Sequence, residues 1–206
     1  MKALLLHDRL IVRFLALLIL IAVLFLLAWT VSYFFLPEGV LRGRTGAALL
    51  AGETAASSLL AEWLRIFAVN ISICMLCVIA PNLIRTGSGL PLGYYTISVQ
   101  AIMYAITLGT NSFTLPLPEG PLAPTLAVLV RSGPYEIAAY ILAATATASL
   151  SRWALRGRWP RQALQRWEPA RGQHISRVEW AGLALAGTIL LAANAWEALQ
   201  IITRFS

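Results

Sequence analysis

Five apolar segments, each close to the length that crosses a lipid bilayer, constrain the fold of this chain most strongly. A helix needs roughly 20 apolar residues to cross about 30 Å of hydrocarbon, and inside lipid its backbone groups must bond to one another. The predicted spans are residues 10–36, 66–83, 92–109, 134–150 and 178–202. The predicted fold is therefore all-α, a polytopic membrane helix bundle with about five transmembrane helices, in which residues 1–206 form a single integral membrane domain.

The composition favours the same class, because 59% of the residues are hydrophobic and only 12% are charged. A soluble domain carries about twice that charged fraction. The first segment is too long for the core of a signal peptide, so we interpret it as a retained membrane anchor.

The basic residues are distributed unevenly between the two sides of the predicted bundle. With five spans, eleven of the 16 lysines and arginines fall on the side of the N-terminus and five on the other side. Basic loops stay in the cytoplasm, so we predict a cytoplasmic N-terminus and an outside C-terminus in the cell (plasma or inner) membrane. Since basic residues beside membrane spans set orientation, the net charge of +7 does not indicate nucleic-acid binding.

Glu136 and Glu197 lie inside the fourth and fifth apolar segments, where a carboxylate is costly and needs a reason. Gly133 and Pro134 suit an N-cap and a first helical turn. Glu136 is thus a helix-start residue favoured by the helix dipole, a functional residue, or a partner of Arg131 or of another span. Glu197 lies roughly 7–8 Å below the outer end of its segment, as either a buried packing contact or a substrate or proton site.

Three costly polar residues share one depth in the predicted bundle. Asn70, Glu136 and Glu197 all fall in its outer third, and Asn194 precedes Glu197 by three residues on nearly the same helix face. The shared depth predicts a buried polar cluster that faces a common interior rather than lipid. Its members are Asn70, Glu136, Glu197 and Asn194, which Arg65 or Arg131 would complete.

The loop between the fourth and fifth segments interleaves arginine with tryptophan. Tryptophan favours the membrane interface and arginine favours anionic lipid, so the loop is a candidate surface for lipid or for a cytoplasmic partner. The residues of this surface are Arg152, Trp153, Arg156, Arg158, Trp159, Arg161, Arg166 and Trp167.

No pattern in the sequence indicates catalysis. The zinc-protease, serine-hydrolase and P-loop motifs are missing, and His7 and His174 lie far from both glutamates. Cys74 and Cys77 form a C-x-x-C inside an apolar run, and we interpret them as small hydrophobic residues. We expect no enzyme activity and no catalytic residue, cofactor or metal.

Four motifs carry a family resemblance. Arg65-Ile-Phe-Ala-Val-Asn70 contains a Phe-x-x-Asn at the start of a span, and residues 87–93 form a glycine-rich turn. Ser132-Gly133 with Glu136 opens a helix, and Ala192-Ala193 with Glu197-Ala198 closes the chain. In this order the motifs resemble the stage II sporulation protein M family of integral membrane proteins. Ser132 and Arg131 stand where that family has histidine and proline, and the Asn-Gly typical of its third span is missing.

The resemblance implies a membrane scaffold, since the founding member holds peptidoglycan-remodelling enzymes during engulfment in spore formers. The predicted function is a non-enzymatic scaffold or complex subunit. Its partners would be the lipid bilayer and other membrane or cytoplasmic subunits, or further copies of the chain. The alternative is the membrane component of a transport or export system that works with a separate ATPase, which the buried glutamates and the polar third segment favour.

Overall fold

The computed structural model describes residues 1–44, 58–157, 163–167 and 174–205. Most of this described chain is helical: α1 (Lys2–Leu5), α2 (Leu10–Phe35), α3 (Leu59–Ile73), α4 (Leu92–Gly109), α5 (Gly133–Ala146) and α6 (Arg177–Phe205). Short 3₁₀ segments at Leu126–Val130 and Ala148–Leu150 flank α5.

Three helical stretches are long and apolar enough to cross a membrane, namely Leu10–Phe35, Leu59–Leu83 and Arg177–Thr203. Their outer faces carry large apolar side chains, such as Phe35, which is 79% exposed, and Leu76, which is 70% exposed. Soluble proteins rarely expose a contiguous apolar surface of this kind, whereas lipid solvates it. The prediction of a mainly helical membrane protein is confirmed at this level.

The second span begins earlier than its apolar segment indicated. The Ser58 hydroxyl accepts a backbone N–H at 3.3 Å and caps the helix, which starts at Leu59 rather than at residue 66. The helix continues as a π-helical segment, Cys74–Ile79, and a 3₁₀ turn, Ala80–Leu83. Pro81 lies in that turn. Because a proline removes one N–H donor and crowds the carbonyl four residues earlier, it accounts for the widened turn before it.

A small sheet at one end of the bundle corrects the prediction of an all-α fold. Strand β1 (Ile84–Arg85) pairs in parallel with β2 (Trp153–Arg156), and β2 pairs antiparallel with β3 (Ala163–Arg166). Strands of two to four residues are too short for an alternating pattern to be distinguished from loop in the sequence.

The starts of some helices and the ends of others meet at this sheet end of the bundle. Arg13, near the start of α2, bonds Glu179, near the start of α6, at 2.6 Å. Asn82, at the end of the α3 stretch, donates to the Thr147 hydroxyl just after α5 at 2.7 Å and accepts from the Gly93 N–H at the start of α4 at 3.0 Å. Thus α2, α4 and α6 start where α3 and α5 end.

The opposite end of the bundle, which we call the loop end, is held by contacts with the segment after α4. The Trp29 indole of α2 donates to the Leu122 carbonyl at 2.7 Å. The Asn111 side chain donates to the Glu38 carboxylate at 2.8 Å. Gly109 lies so close to the Ser32 hydroxyl that a Cβ at this position would collide with it.

Small residues bring α5 against its neighbours. Its buried face includes alanines, and Gly182 of α6 lies against it, where an added Cβ would be 3.6 Å from Leu142 and 3.7 Å from Ala146. In lipid, helices associate through close van der Waals packing rather than through exclusion of water, so small residues favour the contact. The buried alanines of α5 are Ala139, Ala143, Ala144 and Ala146.

Candidate functional site

Two glutamates from neighbouring helices meet towards the loop end of the bundle. Glu136 lies in the first turn of α5, and Glu197 lies about two turns before the end of α6. Their carboxyl groups lie close enough for their charges to interact. Both side chains keep partial exposure, whereas Oε1 of Glu136 is buried and receives no hydrogen bond from the N–H and hydroxyl donors of the described residues.

The start of α5 differs in detail from the predicted helix start. The N-cap is Ser132 rather than Gly133. Arg131 bonds the Glu119 carboxylate at 3.2 Å, so it is not the ion-pair partner that the sequence proposed for Glu136. The Glu136 carboxyl instead meets Glu197.

A third carboxylate completes this end of the cluster. Glu62, in the first turn of α3, is fully buried and bonds Arg65 at 2.6 Å. Glu62 also lies close enough to Glu197 for their charges to interact. Arg65 neutralises the charge of Glu62. Without this partner the buried carboxylate would be strongly destabilising.

Asn70 and Asn194 join α3 to α6 below the glutamates. The Asn70 side-chain amide donates to the side-chain carbonyl of Asn194 at 2.7 Å. The Tyr140 hydroxyl donates to the Asn70 backbone carbonyl at 3.3 Å and thereby adds α5 to the contact. Asn194 is fully buried, and its own amide donates to no acceptor of the described chain.

Tyr104 closes the cluster from α4. Its ring packs so tightly against Gly133 that a Cβ there would collide with the phenol. The ring also contacts Phe25 and Phe113, with ring centroids 6.1 and 6.4 Å away. Four helices therefore contribute to the cluster: α3 with Glu62, Arg65 and Asn70, α4 with Tyr104, α5 with Glu136 and Tyr140, and α6 with Asn194 and Glu197.

The chemistry available to this cluster is proton binding and hydrogen bonding. A carboxyl group accepts hydrogen bonds when it is ionised, and it also donates one when it is protonated. No group of three histidine, cysteine, aspartate or glutamate side chains in the described residues could hold a metal ion.

The sheet end carries the second predicted surface. Arg152, Trp153, Arg156 and Arg166 are exposed there. Trp167 is partly buried, with the guanidinium carbon of Arg85 5.3 Å from its ring centroid. Predicted members Arg158, Trp159 and Arg161 lie outside the described residues.

Arg85 attaches this surface to the bundle. Its guanidinium donates to the carbonyls of Gly89 at 2.8 Å and Ala148 at 3.0 Å. Burial lowers the pKa of this guanidinium from its usual value. The sheet is thus attached to the segment before α4 and to the segment after α5.

Sequence reasoning missed several residues of the cluster. Glu62 lies outside the predicted second span, residues 66–83, although Ser58 followed by an acidic first turn is a helix-start signal. Tyr104 and Tyr140 lie inside predicted spans, and a tyrosine in an apolar run carries no signal of its partner. Asn82 links three segments, and its position beside Pro81 in the sequence gives no sign of these contacts.

No protein-family model, curated protein or solved structure matches the chain. The resemblance to the stage II sporulation protein M family therefore remains a prediction from its motifs. In the structure, each motif lies at a contact between helices: Asn70 with Asn194, Gly93 with Asn82, Gly133 with Tyr104, and Glu197 with Glu136.

Proposed function

We propose that the chain crosses the cell membrane five times, with its N-terminus and its sheet end in the cytoplasm and its C-terminus outside. The alternating helix directions support this topology, because α4 and α5 run between the same two ends as the three long helices. Helix α4 has 18 residues, about 27 Å at 1.5 Å per residue, which is close to the hydrocarbon thickness. The eleven-to-five distribution of basic residues supports the orientation.

We further propose that the protein is a non-enzymatic scaffold or complex subunit that resembles stage II sporulation protein M. The observation that carries this proposal is the exposed basic and aromatic surface at the sheet end, which Arg85 fixes to the bundle. A fixed surface of arginine and tryptophan suits an anionic lipid layer together with a cytoplasmic or membrane protein subunit.

Charge reversal at this surface tests the scaffold proposal. Arg152→Glu combined with Arg156→Glu introduces negative charge at the last residue of β2 and at the residue before the strand. The control Arg44→Glu changes an exposed arginine at the loop end. After mild solubilisation of native membranes, native electrophoresis should show loss of the larger complex in the double variant and its retention in the control. An unchanged complex in the double variant contradicts the proposal.

A membrane component of a transport system with a separate ATPase is the second candidate. The contact between Glu136 and Glu197 favours it, because ionisable groups inside a membrane bundle commonly mark ion or substrate pathways. A stable complex with an ATP-binding subunit, whose ATP hydrolysis in vesicles depends on this chain and falls in the Glu197→Gln variant, would support transport. A complex with no ATP-binding subunit would contradict it.

A further inference from the structure

The 3₁₀ segment Leu126–Val130, just before α5, presents large apolar side chains outward at the loop end of the bundle. Leu126 is 82% exposed, Val130 is 65% exposed, and no residue of the segment is buried. The segment lies outside the five spans that the sequence predicts, in the connection between the third and the fourth. An exposed apolar cluster of this kind is unfavourable in water, so lipid or a protein partner should cover it.

Two side chains of α6 fix the depth of this segment. The Val130 carbonyl accepts the Trp196 indole N–H at 3.1 Å and the Gln200 side-chain amide at 2.8 Å. Both donors lie in about the last two turns of the membrane-spanning stretch Arg177–Thr203, whose 27 residues extend about 40 Å. Roughly 30 Å of that length crosses hydrocarbon and the rest crosses the headgroup regions. Val130 therefore lies near the boundary between the headgroups and the hydrocarbon.

The length of α5 leads to the same depth. Its 14 residues, Gly133–Ala146, extend about 21 Å, whereas the hydrocarbon layer is roughly 30 Å thick. If α5 crosses the membrane as in the proposed topology, the chain on either side of it must cover the remaining distance. At the loop end that chain is Arg131, Ser132 and the segment Leu126–Val130 before them. The segment is thus expected at membrane level rather than in an aqueous loop.

The last three carbonyls of the segment have donors from the protein. Besides the two bonds to the Val130 carbonyl, the Tyr135 hydroxyl donates to the Leu129 carbonyl at 3.0 Å. The Arg131 N–H donates to the Val128 carbonyl, also at 3.0 Å. A backbone carbonyl that leaves water needs such a donor, because an unpaired one is costly in an apolar environment. The hydrogen bonds therefore prepare this backbone for contact with lipid.

The charged and aromatic neighbours of the segment indicate the same boundary. Arg131 bonds Glu119, an exposed residue of the loop after α4, at 3.2 Å. Its long side chain thus keeps the charge on the aqueous side while the backbone lies deeper. Trp196 and Tyr135 are exposed beside the segment. Tryptophan and tyrosine are enriched where membrane meets water, because one end of each ring is apolar and the other is polar.

We propose that Leu126–Val130 is a lipid anchor that lies at the headgroup–hydrocarbon boundary of the leaflet at the loop end. Its exposed leucine and valine side chains contact acyl chains, while Trp196 and Gln200 hold its backbone against α6. Lipid is the occupant because the segment continues the exposed apolar face of α6, which carries Leu199 at the same level. The anchor lies at the opposite end of the bundle from the sheet-end surface, so it is independent of the proposed scaffold function.

Spin-label accessibility of the full chain in phosphatidylcholine nanodiscs tests the anchor, after Cys74 and Cys77 are replaced by serine. A nitroxide on Leu126→Cys should collide more often with oxygen, which concentrates in lipid, than with a water-soluble nickel chelate. The lipid control is Val23→Cys, exposed in the middle of α2, which should show a larger excess of oxygen collisions. The water control is Arg44→Cys, exposed at the loop end, which should show an excess of nickel collisions.

Removal of the two donors from α6 tests what holds the anchor at this depth. Trp196→Phe combined with Gln200→Leu leaves the Val130 carbonyl without both of its side-chain donors. The label at position 126 should then lose its excess of oxygen collisions, because the backbone moves towards water. The matched control Trp180→Phe changes an exposed tryptophan near the other end of α6 and should keep the excess.

Three results would overturn the anchor. Nickel collisions at position 126 as frequent as at position 44 would place the segment in water. An immobile label that neither reagent reaches would show that protein covers the segment, which in these nanodiscs means a second copy of the chain. An unchanged oxygen excess in the double variant would show that α6 does not hold the segment in place. The first two results need only the substitution of one exposed leucine, so a double variant that fails to fold does not remove the test.

Discussion

The side-chain amide of Asn70 donates a 2.7 Å hydrogen bond to the side-chain carbonyl of Asn194, joining α3 to α6 across 124 residues of sequence. The bond lies on the two helices that also carry Glu62 and Glu197. In lipid such a bond replaces no bond to water, so it fixes how the two helices are rotated relative to each other. Asn194 and Glu197 lie three residues apart on nearly the same helix face, so the same rotation sets the direction of Glu197.

Loss of Asn70 should destabilise the bundle through the partner that it leaves behind. Asn70→Leu deprives the fully buried Asn194 of its only described hydrogen bond, which costs about 1–3 kcal/mol. Ser72→Ala, on the same helix, removes an exposed hydroxyl and should have little effect. Unfolding in increasing denaturing detergent, followed by circular dichroism, measures both. Equal midpoints for the two variants would show that the amide pair contributes nothing.

The two functional candidates differ in what substitution of Glu197 does. If Glu197 is structural, Glu197→Gln should assemble normally, because the amide can still bond Glu136, whereas Glu197→Leu leaves Glu136 unsatisfied at about 1–3 kcal/mol. If Glu197 carries a proton in transport, both variants should lose activity alike while Glu197→Gln still folds. We expect the structural result for assembly and folded yield. Normal assembly of the Gln variant with complete loss of function would place transport ahead of scaffold.

The sequence singles out the polar residues whose burial in lipid is costly. Glu136, Glu197 and the two asparagines stand out because a polar group in an apolar run needs a partner. Their shared depth follows from residue counting, since an α-helix rises about 1.5 Å per residue. Depth alone, however, gives no rotation about the helix axis, so it did not show that Asn70 bonds Asn194 or that the two carboxyl groups meet.

Other parts of the fold depend on long-range contacts that leave no local pattern. Glu62 precedes the predicted second span, yet it lies inside α3, where Arg65 neutralises its charge. Strands β1 and β2 pair where two segments that are far apart in sequence come together. The Arg152 N–H donates to the Leu83 carbonyl at 2.8 Å beside this pairing. A four-residue strand has no periodicity by which it could be predicted.

The close approach of Tyr104 predicts a sharp difference between two helical glycines. Gly133→Ala places a methyl group against a phenol ring that Phe25 and Phe113 hold in place, and should cost about 1–3 kcal/mol. Gly187→Ala meets nothing within 4 Å and should stabilise α6 by about 0.5–1 kcal/mol. Thermal unfolding of both variants checks the prediction, and it is wrong if Gly133→Ala is the more stable of the two.

Arg13 and Glu179 form a buried ion pair, and removing one partner should destabilise the protein more than removing both. Its side chains are 11% and 9% exposed, and Glu179 also accepts the Ser176 N–H at 2.8 Å at the start of α6. Arg13→Met alone leaves an uncompensated carboxylate and should cost about 3–5 kcal/mol. Adding Glu179→Gln removes that charge, keeps an acceptor for Ser176, and should recover most of the loss. Unfolding midpoints of the single and double variants measure the coupling, and simple additivity would contradict it.

The proposed topology makes its strongest prediction at Ala163, which is exposed at the start of β3 in the sheet end. After Cys74 and Cys77 are replaced by serine, Ala163→Cys should resist a membrane-impermeant thiol reagent added to intact cells and react once the cells are opened. Ala123→Cys, exposed at the loop end, is the matched control and should react from outside. This difference follows because an odd number of spans separates the two positions and because the basic residues hold the sheet end in the cytoplasm. Efficient labelling of position 163 in intact cells would contradict the proposed orientation. Labelling of both positions in intact cells would mean that α5 does not cross, and the five-span topology would have to be abandoned.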